Sequence, residues 1–381
     1  MKKKRLTALL TAGIMVVCLI AGCGSTEQGT GSSTQETPSS SEGDTAADAG
    51  DEAAGAQEGQ ATGVKVALSN SFSGNAWRAQ TIKIFNSYCS RLAEEGVISE
   101  YYASSAGDDA QNQINEIRNM ISQGYDIILV NAADSNTLKP VLEEAAAEGI
   151  VVVSYDNRVE GEGLYTIGID EVKYATQQAE WMCETLNGEG NIYLIRGLEG
   201  SYNDNIRYEC WMDVLSQYPD INVIAEGYGG WDAGTTSQLM NDLLAANPDV
   251  EVDGIIQQGH GEVAMTEALI QHGIDPSTVA MTGEYTNGFF RVILEYDINA
   301  FIEGLPCYLP AAALDIGLSV LNGEEVEADT VFDPPVIDAA DAAEYYQPDL
   351  PDTFMNGWTD EANTWNLTLE DVIPDDMASG E

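Results

Sequence analysis

Positive charge is scarce in this chain. Fifteen Lys and Arg stand against 63 Asp and Glu, a formal net charge of −48, and four of the fifteen lie in the first five residues, MKKKR. Such a balance repels phosphate backbones and anionic lipid surfaces, which argues against a nucleic-acid-binding function. Histidine is nearly absent: His260 and His272 are the only two, and neither GxSxG nor HExxH occurs. No strand-like run leads into GxxxxGK[ST] or GxGxxG, so no phosphate-cradling loop is expected. Asp156 and Glu284 could pair as acids for glycoside hydrolysis, but two carboxylates among 63 carry little weight. No enzyme is expected. The six cysteines lack CxxC spacing and no DxDxDG loop occurs, so neither a metal nor any other cofactor is expected. For Cys89, Cys183, Cys210 and Cys307, buried free thiols are at least as consistent as a disulfide.

Long apolar runs are confined to the N-terminus. LTALLTAGIMVVCLIAGC follows the basic MKKKR, and together they read as a secretory signal over residues 1–22, an uncleaved anchor being the alternative. Ile20–Cys23, IAGC, resembles the lipobox of bacterial lipoproteins, and that resemblance implies lipidation at Cys23. Residues 23–62 are Ser/Gly-rich, with eight acids, no base and almost nothing large and apolar from Gly24 to Thr62. Such a segment cannot bury a core. It is expected to be a disordered tether with a root-mean-square reach of about 35 Å.

From residue 63 to about 360, short Val/Ile-rich runs alternate with stretches of helical period. VKVALSN, YDIILVNA, IVVVSYD, GNIYLIRG, INVIAEG, VDGIIQQG and TVAMTGE read as strands. Between them, DAQNQINEIRNMISQG repeats Ile114, Ile117 and Ile121 at helical spacing and stops at Gly124. NTLKPVLEEAAAEG and TTSQLMNDLLAANP do the same, with Gly149 and Pro248 as stops. The alternation predicts an α/β fold with parallel sheets built from βαβ units. Strands that are apolar throughout suit sheets covered on both faces, and in such sheets ligands bind beyond the carboxyl ends of the strands. Residues Ser69–Arg78, Asn131–Ser135, Asp156–Arg158, Arg196–Arg207, Tyr228–Asp232, Gln257–Glu262 and Glu284–Asn287 occupy those ends. Nearly all are polar or aromatic.

In order and spacing, ILVNAADSNTL, VVVSYDNR and GLEGSYNDNIRYECW resemble the type I periplasmic binding proteins of sugar ABC importers, close to the ribose-binding branch. SNSFSGNAWR (Ser69–Arg78) and YYQPDLPDTFMNGWTDE (Tyr345–Glu361) resemble a sub-branch of that family. The resemblance implies two Rossmann-like lobes joined by a three-segment hinge, with crossings near Ile167–Asp170, Glu303–Pro306 and Val331–Pro335. Lobe one then comprises 63–168 and 305–331, lobe two 169–304 and 332–360, and 361–381 an acidic C-terminal tail.

The same resemblance implies the binding residues. Asn75, Trp77 and Arg78 fall in the first loop of lobe one, where relatives set an Asn and two aromatics against a sugar; Arg78 departs from the second aromatic. Read from the residues alone, Asn75 could cap a helix, Trp77 could be core and Arg78 a surface ion pair. Asp156 falls where relatives accept two sugar hydroxyls, though it could be a turn residue. Asn131 matches an amide at the end of the third strand. In lobe two, Asn205 stands where ribose binders carry Arg, Arg207 matches a second Arg, Trp231 a stacking aromatic, Gln258 with Gly259 and His260 cover the place of a ligand amide, and Glu284 matches an Asp.

The leading expectation is a lipid-anchored extracytoplasmic binding protein that takes a small sugar or sugar derivative to an ABC permease. It is expected to be monomeric, to bind no nucleic acid and to touch the membrane through Cys23. A sensory binding protein docking on a receptor ectodomain and a nucleoside-binding lipoprotein are the alternatives.

Overall fold

A computed structural model describes residues 62–357, 365 and 367–374. The elements run β1 (Val64–Asn70), α1 (Ala76–Glu94), β2 (Ile98–Ser105), α2 (Ala110–Gln123), β3 (Ile127–Asn131), α3 (Ser135–Ala147), β4 (Val151–Tyr155) and β5 (Leu164–Ile169). The second half continues through α4 (Glu171–Thr185), β6 (Glu189–Arg196), α5 (Tyr202–Leu215), β7 (Asp220–Tyr228), α6 (Ala233–Ala246), β8 (Gly254–Gln257), α7 (Glu262–Gln271), β9 (Ala280–Gly283), α8 (Asn287–Tyr296) and β10 (Ala300–Glu303). Then follow α9 (Leu309–Leu321), β11 (Asp329–Phe332), β12 (Val336–Ile337), α10 (Ala342–Tyr345) and α11 (Leu369–Val372).

Two six-stranded sheets result, ordered β11-β5-β4-β3-β1-β2 and β12-β10-β9-β8-β6-β7. Within the two sheets every strand pairing is parallel except β10 with β12. β3, β4 and β8 are buried along their whole length, as strands covered by helices on both faces must be. The helix signals act as the chemistry requires. Asp109 accepts from the first amides of α2, and Gly124 ends it in the left-handed region at φ 68°, where an absent Cβ removes the steric penalty.

In each sheet the order reverses beside its first strand, between β1 and β3 and between β6 and β8. This is the switch point where an open α/β sheet leaves a crevice. The chain passes between the lobes after β5, after β10 and after β11, since α9 packs on β3, β4 and β5 and β11 pairs with β5.

There is also a fourth passage, which the sequence reading does not foresee. Residues 347–356 run along α8: the Asn287 and Gly288 amides donate to the Phe354 and Asp352 carbonyls. Met355 then exchanges two hydrogen bonds with the Gln80 side chain of α1, at 3.0 and 3.2 Å. Beyond it, Trp365, Leu367 and Val372 are buried. Trp365 Nε1 donates to Asp315 on α9, and Ser87 of α1 donates to the Asp371 carbonyl. The stretch expected to begin an acidic tail at residue 361 thus completes the lobe-one core, because its apolar residues cover α1 and α9. Residues 375–381 and Cys23 lie outside the described residues. Cys89, Cys183, Cys210 and Cys307 are free thiols. Among the described residues no helix is long and apolar enough to cross a membrane.

Candidate functional site

A cleft of about 410 Å³ opens between the carboxyl ends of the two sheets, lined by loop residues from both lobes and by Leu305 of a crossing segment. On the lobe-one side, Asn75 caps α1 by accepting from the Arg78 amide at 2.9 Å, and its side chain also lines the cleft. The cap fixes the first helical turn, which carries Trp77 and Arg78. Trp77 is 3% exposed and donates its indole N–H to the Leu305 carbonyl at 2.8 Å. It therefore belongs to both descriptions open at the sequence level, as part of the core and as a wall of the cleft.

Arg78 is buried rather than on the surface. Its guanidinium donates to Asn70 Oδ1 and Ser71 Oγ, and lies 3.3 Å from Asp156 Oδ2. Asp156 follows β4 with φ 57°, a left-handed conformation that Asp and Asn tolerate better than other side chains with a Cβ. Its Oδ2 also accepts from Asn131 at 3.0 Å, and its Oδ1 accepts from Asn203 of the opposite lobe at 3.1 Å. That last bond spans the cleft and ties the two lobes together around one carboxylate.

On the lobe-two side, Ser201 caps α5, and Asn203 and Arg207 follow on one face, four residues apart. Arg207 is 3% exposed; its Nε lies 2.7 Å from Glu171 and its guanidinium sits 4.3 Å above the Tyr174 ring. Trp231 adopts φ 53° in the turn before α6, with its ring against Gly197. A Cβ on Gly197 would meet that ring at 2.4 Å, so only glycine lets the indole lie there. Glu284 accepts from Tyr174 at 3.3 Å and lies 3.5 Å from His260.

Seven of the ten expected ligand residues line the cleft: Asn75, Trp77, Arg78, Asp156, Arg207, Trp231 and Glu284. Asn131 stands behind Asp156 and orients it. Asn205 is exposed and accepts from Arg196, because two residues along a helix from Asn203 it faces away. Gln258 is buried but turns its amide to the Asp204 carbonyl and carboxylate. In their places stand Asn203 and His260, and Asn157 also lines the cleft. The Asn203–Arg207 spacing after a Ser cap was legible; the left-handed His260 at φ 64° was not.

Burial sets the electrostatics of the lobe-two wall. Burial raises the Glu284 carboxyl to about 8, with Arg207 working against the rise and Glu262 adding to it. Burial likewise lifts Glu303 to about 9, while burial and then Arg207 hold His260 down at about 4. At neutral pH the Glu284–His260 contact is therefore a neutral pair, and a protonated Glu284 can donate to a ligand oxygen.

The sign of the pH effect follows. A carboxyl raised in the fold stabilises fully below its unfolded value near 4.5, and that contribution is lost as pH climbs through about 8. His260, depressed in the fold, acts in the opposite direction and only below about 6.5. Glu284→Gln removes this titration: between pH 5 and pH 8 the wild type should lose about 1.4 kcal/mol of stability per pH unit that the variant keeps, so the variant gains on wild type across that window. Urea melts at both pH values measure this, and parallel losses in the two proteins would refute it.

Two parallel sheets facing across a hinged, polar-and-aromatic cleft define a receptor for a small solute. The chain belongs to the periplasmic binding protein family of type I: residues 66–325 match the model described as "Periplasmic binding protein domain". It is similar to a xylitol-binding protein of Mycolicibacterium smegmatis, at 25% identity, covering 71% of this chain and 77% of that one. It is also similar to the D-xylose-binding periplasmic protein of Escherichia coli, at 25% identity over 62% of this chain and 73% of that one. Among solved structures, an ABC transporter solute-binding protein from Thermobispora bispora superimposes with TM-score 0.70 at 26% identity, covering 77% and 90% of the two chains. As a member of that family this chain is a binding protein.

Proposed function

We propose that the protein captures a small uncharged sugar or sugar alcohol between its lobes and hands it to the permease of an ABC importer. The observation that carries this reading is the Asp156 carboxylate, held by Arg78 and Asn131 from one lobe and Asn203 from the other, between Trp77 and Trp231. An ionised acceptor makes the stronger kind of hydrogen bond to hydroxyls, and indole faces suit the C–H face of a sugar ring. Both arginines of the lining already have a carboxylate, Asp156 for Arg78 and Glu171 for Arg207. Among the described residues of the lining, no cation is left over for an anionic ligand. The xylitol- and D-xylose-binding relatives point to five-carbon compounds as the first to try.

Thermal unfolding of the full chain with pentoses, pentitols, hexoses, sugar acids and nucleosides tests the reading. A ligand at 100 times its dissociation constant stabilises by about 2.7 kcal/mol. Stabilisation by a neutral sugar or polyol supports the proposal, and stabilisation by nucleosides alone would replace it with the nucleoside reading. Anchoring through a lipid on Cys23 is part of the same proposal, supported by the IAGC segment. Cys23→Ser should move the protein from the membrane pellet to the soluble fraction, and an unchanged distribution would exclude the anchor.

A further inference from the structure

Next to the cleft lies a second cavity, larger than the first. It spans about 1120 Å³, part of it open to solvent, and shares Asn75, Trp231 and His260 with the cleft, so the two spaces have common walls. Gly74 and Ala76 form one side of it, Ser237 of α6 and Glu267 of α7 another, and Asp352 with Thr353 of the fourth passage close a third. The two segments that stand out in the sequence, Ser69–Arg78 and Tyr345–Glu361, thus meet in one place. The second is fixed there: the Gly288 amide donates to the Asp352 carbonyl at 2.8 Å, and Arg291 holds the Asp352 carboxylate through two bonds of 2.9 and 2.7 Å.

The walls specify a chemistry. Apart from the buried His260, the ionisable groups among the described lining residues are all carboxylates, Asp232, Glu262, Glu267 and Asp352, with no Lys or Arg. Glu262 is buried and accepts from the Glu284 amide and the Thr286 hydroxyl, while Asp232 caps α6 through the Thr235 amide. A phosphate or carboxylate entering this space would meet carboxylates, and Arg291, the cation behind Asp352, is already engaged by it. A hydroxylated ring would meet acceptors and the flank of the Trp231 indole.

Resting on the sugar-binding reading above, we propose that the ligand is longer than one ring. The sugar in the cleft carries a second, uncharged group through a glycosidic bond, and that group occupies the outer cavity. The ligand class is a short neutral glycoside or disaccharide, and an anionic appended group is refused.

The test uses the full chain, with D-xylose, L-arabinose, D-glucose and D-galactose as single-ring probes. Each is compared by calorimetry with its methyl glycoside, with neutral disaccharides that contain it, and with a disaccharide ending in a uronic acid. Ser237→Trp narrows the outer cavity from α6, and Glu267→Trp, at an exposed position on α7, narrows it from another wall; neither position lines the cleft. The expected result is a neutral disaccharide or glycoside binding at least tenfold more tightly than its parent sugar. Both Trp variants should erase that gain and leave single-ring binding unchanged, and the uronic-acid compound should bind at least tenfold more weakly than its neutral counterpart. Single sugars that bind while every extended compound is rejected would overturn the inference and leave the sugar-binding reading standing. So would extended compounds that bind both folded Trp variants as they bind wild type. Silence towards every sugar would remove the underlying reading, and this inference with it.

Discussion

Arg207→Met is expected to destabilise the unliganded protein by about 3–5 kcal/mol, the usual cost of removing one partner from a buried ion pair. Arg207 is the cation of a buried, acid-rich region behind the cleft. Its guanidinium contacts Glu171 at 2.7 Å and covers the Tyr174 ring, and Glu284 and Glu303 both feel its charge. Met fills the volume of the aliphatic stem but leaves Glu171, 7% exposed, without its counterion. Glu171 must then hold an unpaired charge or bind a proton, and either costs stability at neutral pH.

The same reasoning predicts that Glu171→Met in the Arg207→Met background restores most of the loss, since an apolar pair of similar volume replaces a desolvated ionic one. Urea denaturation of both single variants and the double variant closes the thermodynamic cycle. A single-variant loss below about 1 kcal/mol would mean that water reaches Glu171 and the pair is worth no more than a surface bridge. An additive double variant would show that the two residues do not depend on each other.

The legibility of this chain divides along physical lines. Strands buried along most of their length announce themselves as apolar runs, and so β1, β3, β4, β6, β8 and β9 could be read off the sequence; β7 was read from INVIAEG although it is an edge strand with only Ile221 buried, and the mostly buried β5 was not read. Nor was β2: it is a sheet edge, and Glu100, Tyr101 and Tyr102 are exposed. β12 spans only two residues, and β11, as short as β8 and β9 at four residues, alternates exposed and half-buried positions where those two are buried throughout; β10, also four residues, was not read either.

Site residues on the first turn after a strand, Asn75 to Arg78 and Asp156, were accessible because the rule about carboxyl ends places them. Asn205 and Gln258 fail for a different reason. A position two residues along a helix, or a left-handed backbone at His260, changes where a side chain points without changing the local composition. The C-terminal segment was hidden by its charge. Trp365, Leu367 and Val372 sit among acids, and only the apolar flank of α1 and the Asp315 acceptor on α9 explain their burial.

Asp156→Asn should weaken binding of whichever sugar the thermal screen identifies by about 1.5–3 kcal/mol, on the order of 10- to 100-fold in dissociation constant. Asn is the informative replacement because it tolerates the left-handed backbone at φ 57°, so the loss reports the carboxylate and not a strained turn. Three donors converge on that carboxylate, from Arg78, Asn131 and Asn203. An amide presents one oxygen and one NH2 to the two asparagines, so one of them loses its acceptor, and Arg78 loses its counterion. Part of the effect therefore falls on the closed arrangement of the lobes, through the bond to Asn203.

Asn203→Ala separates the two contributions. It removes the bond across the cleft but keeps the Arg78–Asp156 pair, and it should cost less affinity than Asp156→Asn. Isothermal calorimetry on both variants, with urea melts of the unliganded proteins, is the measurement. If Asp156→Asn binds as tightly as wild type while its melting falls, Asp156 is a structural counterion for Arg78 and does not hold the ligand. If Asn203→Ala costs as much as Asp156→Asn, the energy lies in closing the lobes and not in the acceptor. The proposed role of the carboxylate requires the first variant to be clearly the weaker binder.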